Sequence, residues 1–127
     1  MPELTLCPQK MSSHPFTKAQ RREIGRLAGL AHERELSAAA AELQSQFEKW
    51  RCREIDVFIL NEQIHKFHDG VSRDLYKRYA MGEAHWSVAS AIARGVLKES
   101  EVDAAVIENL RSVIELARQM SQEDEEA

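Results

Sequence analysis

The chain has 127 residues, 43% of them hydrophobic and 30% charged, and a formal net charge of −4. That length suits one domain whose core needs no metal or disulfide staple, and the composition is globular rather than disordered. No apolar run approaches the roughly 18 residues that a membrane span requires.

Ala, Glu, Leu and Arg dominate, and β-branched runs are absent, so the expected fold class is all-α. Cys7 and Cys52 are the only cysteines, too sparse for a disulfide framework. The first residues lack the basic and apolar regions of a secretory signal. These features point to a reducing, cytoplasmic setting, with Cys52 serving as a small buried hydrophobe.

Residues 1–16 hold Pro2, Pro8 and Pro15 and no periodic pattern, and read as an irregular N-terminal arm. Thr17 is placed to cap a first helix, with Gln20 closing a capping box. Ile24, Leu27, Leu30 and Ala31 form its apolar stripe. Gly25 and Gly29, four apart, suggest a close approach by another helix. Lys18, Arg21, Arg22, Arg26 and Arg34 make this segment basic. A basic face can bind nucleic acid, but the acidic balance and the lack of a reading motif argue against that partner.

From Leu36 to Phe67 there is neither Gly nor Pro. The stripe Leu36, Ala40, Leu43, Phe47, Ile55 and Phe58 predicts one long central helix, about 36–68, with a bend near Ser37 or Trp50. Val57-Phe-Ile-Leu60 is apolar all round, which predicts a covered, central position. Gly70 is the expected left-handed stop. Ser72 then caps a short helix to about Met81, with Val71 and Tyr76 as a hydrophobic staple and Leu75, Tyr76 and Tyr79 inward.

Beyond Gly82, His85, Val88, Ala89, Ile92 and Val96 form the next stripe. Ser100 with Asp103 opens the last helix, whose stripe of Val102, Val106, Leu110, Val113, Ala117 and Met120 has near-heptad spacing. The expected architecture is an antiparallel helical bundle of about five helices over 17–122, followed by an acidic tail at 123–127.

Chemistry concentrates in Glu62-Gln-Ile-His65-Lys-Phe-His68-Asp69. On a helix, Glu62, His65 and Asp69 share a face, with His68 beside them, as a candidate divalent-metal set. The Glu62-x-x-His65 pair resembles half of the site in the ferritin-like di-iron carboxylate proteins, where two such pairs and two further glutamates project into a bundle core. This chain has no second pair, so the resemblance implies a metal site only if a homodimer brings two copies together. A structural account competes: histidines suit a helix C-terminus, and Glu62 can pair with Lys66. Asp69 fits that account poorly, because a carboxylate at a helix C-terminus is unfavourable by about 0.3–1 kcal/mol.

A second candidate is an anion or ligand pocket at the start of the short helix, with Ser72, Arg73 and Lys77 as donors and Tyr76, His85 and Trp86 as walls. No nucleophile with a partnered base can be read from the sequence, which argues against an enzyme. The preferred functional expectation is a non-enzymatic interaction or oligomerisation module. It would act on a protein partner or a second copy through an exposed apolar stripe, with the last helix as the expected surface. The alternative is a small metal- or ligand-binding bundle centred on Glu62 to Asp69.

Overall fold

The computed structural model describes residues 16–126, with side chains described as far as Glu123. All regular structure among them is helical, in four helices. The first, α1, spans Lys18–Arg51. The second, α2, covers 57–81 as Val57–Lys66, a π turn Phe67–Ser72, Arg73–Tyr76 and a second π turn Lys77–Met81. Then come α3, Ala84–Ala93, and α4, Ala104–Glu126, with a short 3₁₀ turn at Glu99–Glu101 between them. Residues 1–15, most of the expected N-terminal arm, lie outside the described residues.

The helix boundaries differ from the expected ones in instructive ways. Thr17 caps α1 with the anticipated box: its hydroxyl accepts from Gln20 N, and Gln20 Oε1 accepts from Thr17 N, both at 3.0 Å. Nothing interrupts the chain at Ser37, so the first two expected helices are one, and the break falls at 52–56. There Arg53 takes a left-handed φ of 63°. Arg53 N bonds to Trp50 O at 3.0 Å and Glu54 N to Lys49 O at 2.8 Å, the paired turn that normally closes a helix on glycine. Gly95 makes the same turn after α3, with φ 83° and bonds from Gly95 N to Ile92 O and from Val96 N to Ala91 O. An arginine in the glycine position is why the first break carries no sequence punctuation.

Gly70 does not end a helix. Its neighbours Lys66 and Ser72 both have right-handed helical angles, and Ser72 makes no capping bond. The chain continues to Gly82, where an added Cβ would lie 2.8 Å from Arg78 O. A packing need explains the two π turns. Phe67, Val71, Leu75 and Tyr79 are spaced by four, so in a uniform α-helix Tyr79 would sit about 120° round from Phe67. An extra residue in the turn takes up that rotation and keeps the run facing α1. Asp103 rather than Ser100 opens the last helix, with its Oδ2 accepting from Ala105 N at 3.2 Å. That helix continues into the acidic run as far as Glu126.

Ala39, Leu43 and Gln46 of α1 share a groove with Val71, Phe67 and Gln63 of α2, and His32 stacks on Tyr79 with centroids 5.4 Å apart. Numbers rise along one helix as they fall along the other, so α1 and α2 form an antiparallel hairpin. The core sits at its base. There Ile24, Leu27, Ala28 and Ala31 pack with Leu75 and Tyr79, with Val88, Ala89 and Ile92 of α3, and with Leu97, Val106, Leu110 and Ile114. α3 lies between α1 and α4. Most of each stripe expected on α3 and α4 is therefore packed within the chain, although Met120, at the end of the α4 stripe, is 47% exposed.

Beyond Leu36 the hairpin continues as a two-helix arm, comprising 36–51 and 57–72, on which neither α3 nor α4 packs extensively. Leu60 is its one fully buried side chain. Two expectations fail there. Val57, Phe58 and Ile59 are not central but stand at the arm's tip, with Phe58 80% exposed. Cys52 is exposed rather than buried. The close approach expected at Gly25 and Gly29 is not made by any of the described residues, since none lies within 4 Å of a Cβ built at either.

Candidate functional site

Among the described residues, most of the exposed large apolar side chains stand on the arm. Phe47 is 38% exposed, Trp50 41%, Val57 50%, Phe58 80%, Ile59 43% and Val71 39%. The seam between the helices repeats every three or four residues, as Leu36, Ala39, Leu43, Gln46 and Trp50 on α1 and Leu60, Ile64, Phe67 and Val71 on α2. That is coiled-coil spacing, but two helices alone leave such a seam open on both sides. On one side it forms a groove of about 350 Å³ lined by Ala39, Glu42, Leu43, Gln46, Gln63, Lys66, Phe67 and Val71. Around the tip, Trp50, Ile55 and Ile59 line a second depression with Arg51, Arg53, Glu54 and Asp56.

At the arm's root a polar cluster ties both hairpin helices to α3. Arg94 Nη1 donates to Glu35 Oε1 at 2.7 Å, the Tyr79 hydroxyl donates to Glu35 Oε2, and Arg94 Nη2 donates to Tyr79 Oη at 3.1 Å. Arg78 adds a longer contact at 3.4 Å. Burial opposes the charged form of Glu35, whose side chain is 18% exposed. The hydrogen bonds from Arg94 and Tyr79 and the fields of Arg94 and Arg78 outweigh it and hold the carboxyl below its ordinary range. Burial, then the carboxylate beside it, pushes the Tyr79 hydroxyl up. A second tie joins Arg34 to Glu101 at 2.5 Å and to Val96 O at 2.9 Å. Arg34, then the Lys98 backbone N–H, pulls Glu101 down to about 2. No acid–base pair is left free here: Glu35 is saturated by donors, so the cluster fixes geometry. None of its members forms a sequence motif, because Glu35 and Arg94 are 59 residues apart.

The expected metal set is not gathered within the chain. Glu62, His65, His68 and Asp69 are all exposed on α2, and no three His, Cys, Asp or Glu side chains come together among the described residues. Asp69 needs no special partner, because α2 continues past it and the dipole penalty of a helix end does not arise. The expected anion pocket loses its basis in the same way, since no helix begins at Ser72. His68, Asp69, Ser72, Arg73 and Tyr76 do line one shallow surface depression. His85 lies elsewhere, its ring 6.2 Å from Phe16, and neither it nor Lys77 nor Trp86 lines that depression.

No protein family, curated protein or solved structure matches this chain. No helix among the described residues is long and apolar enough to cross a membrane.

Proposed function

We propose that this chain is a non-enzymatic helical interaction module that works by docking its hairpin arm on protein. The observation that carries the reading is the run of exposed apolar side chains at Phe47, Trp50, Val57, Phe58, Ile59 and Val71. Six large apolar side chains exposed on one two-helix arm favour docking on protein over exposure to water. Most helical stability comes from packing of an apolar face, and within this arm only Leu60 is fully buried. The base is read as a helical bundle that holds the arm in a fixed direction, with 17–122 as one unit because α1 and α2 run through both parts. The exposed thiol of Cys52 suits a reducing compartment.

A photo-crosslinking residue placed at Phe58 or Gln63 in cells should give protein adducts, and one at the exposed Glu108 of α4 should not. No adduct of any kind at either arm position would refute the reading.

A further inference from the structure

Resting on that reading of the arm, we propose that its occupant is a second copy of this chain, laid antiparallel along the groove so that two hairpins close a four-helix layer. The argument is self-complementarity. Glu42, on the lip of the groove, and Lys49 lie seven residues apart, two turns along one flank of α1. On α2, Lys66 lines the groove and Glu62 lies one turn before it. None of these four exposed side chains has an ion-pair partner among the described residues.

Turning a copy about a twofold axis across the helices sets α1 antiparallel to the partner's α1, and α2 to the partner's α2. With the axis midway between Glu42 and Lys49, at Ser45–Gln46, each Glu42 meets a Lys49 of the other copy. The midpoint of Glu62 and Lys66 is Ile64. Its neighbour Gln63 shares the groove with Gln46. The same axis therefore pairs Glu62 with Lys66 across α2. Two charge patterns, on two helices, select one register. A parallel pairing would instead place both copies' α3–α4 bases at the same end, where they compete for the same space. Every neighbour in the antiparallel layer is antiparallel, which also suits the helix dipoles.

The size is adequate for a modest dimer. Sixteen residues of arm are about 24 Å long and two helices about 20 Å wide. The footprint is then about 480 Å² per copy and about 1,000 Å² in total, at the lower limit for a specific interface. Association should therefore be weak, with a Kd of about 1–100 µM.

Sedimentation equilibrium on the full chain tests this. Wild type should dimerise, and Lys49→Glu and Glu42→Lys should each weaken the dimer about tenfold, since each creates two like-charge contacts. Mixed together, the two variants should restore wild-type association, because the heterodimer has opposite charges at both positions. Circular dichroism melting of each variant at low concentration controls for folding. A chain that remains monomeric up to about 200 µM would overturn the second-copy inference, while crosslinks to another protein at Phe58 or Gln63 would leave the docking reading standing. A dimer that the mixture fails to rescue would overturn the antiparallel register.

Discussion

Phe58 and Leu60 stand two residues apart in one apolar run, and the structure gives them opposite roles. Phe58 is 80% exposed and Leu60 is 4% exposed. Full burial of a phenylalanine is worth about 1.5–3 kcal/mol, so the one-fifth of Phe58 that is covered contributes about 0.3–0.6 kcal/mol. Leu60→Ala removes a packed side chain and leaves a void; the thin arm can partly collapse, which places the cost at about 2–3 kcal/mol. For a chain of this size 1 kcal/mol moves Tm by about 3–5 °C. Thermal melting in dilute solution, where association does not contribute, should show Phe58→Ala within about 3 °C of wild type and Leu60→Ala about 6–15 °C lower. Equal losses would mean that Phe58 is covered within the chain, and the arm would lose its claim to be a docking surface.

The two closing turns make a reciprocal pair. Arg53→Gly relieves a left-handed residue worth about 1–2 kcal/mol and gives back about 0.5–1 kcal/mol in chain entropy, so urea unfolding should show a gain of about 0.5–1 kcal/mol. Gly95→Ala should lose a similar amount by the same measurement. Gly82→Ala forces a Cβ to within 2.8 Å of Arg78 O and should cost about 1–3 kcal/mol in urea unfolding. Glu35→Ala strips the partner from Arg94 and Tyr79 and should cost about 1.5–3 kcal/mol. Because the Glu35 carboxyl is depressed in the folded chain, its contribution is present above the unfolded value of about 4.3 and is lost as pH falls through the folded one. Urea unfolding at pH 7, 4 and 3 should therefore show a shallower acid-side loss for Glu35→Gln than for wild type. An unchanged slope would contradict the cluster.

Much of the fold was legible in the sequence. The capping box at Thr17, the stripe Ile24, Leu27 and Ala31, and most of the inward faces of α3 and α4 follow from spacing alone, although Ile107 and Ile114 of α4 are buried outside the expected stripe. What misled was punctuation. Gly70 looked like a stop, yet a glycine inside a helix costs only about 1 kcal/mol and a continuing packed face can carry it. The bend expected near Ser37 or Trp50 falls at the second place, as a full turn at Arg53, where no glycine or proline marks it. A helix drawn from Leu36 through to Gly70 puts the apolar run Val57–Leu60 in its middle, whereas the turn at Arg53 puts it at the tip of a hairpin. Its hydrophobicity was visible, but which side of it would be covered was not. The Glu35–Tyr79–Arg94 cluster could not be read at all, because it depends on contacts across 44 and 59 residues.

The central claim is that the arm stands uncovered in the isolated chain and is covered when it works. Amide hydrogen exchange measures this directly, residue by residue. In the dilute chain, amides of 43–50 and 58–67 should exchange through openings far cheaper than those of 88–92 and 107–114. In the assembly, with a second copy or a captured protein on the arm, the first set should slow markedly and the second should not. Arm amides as protected as the core in the dilute chain, and unchanged in the assembly, would contradict the account.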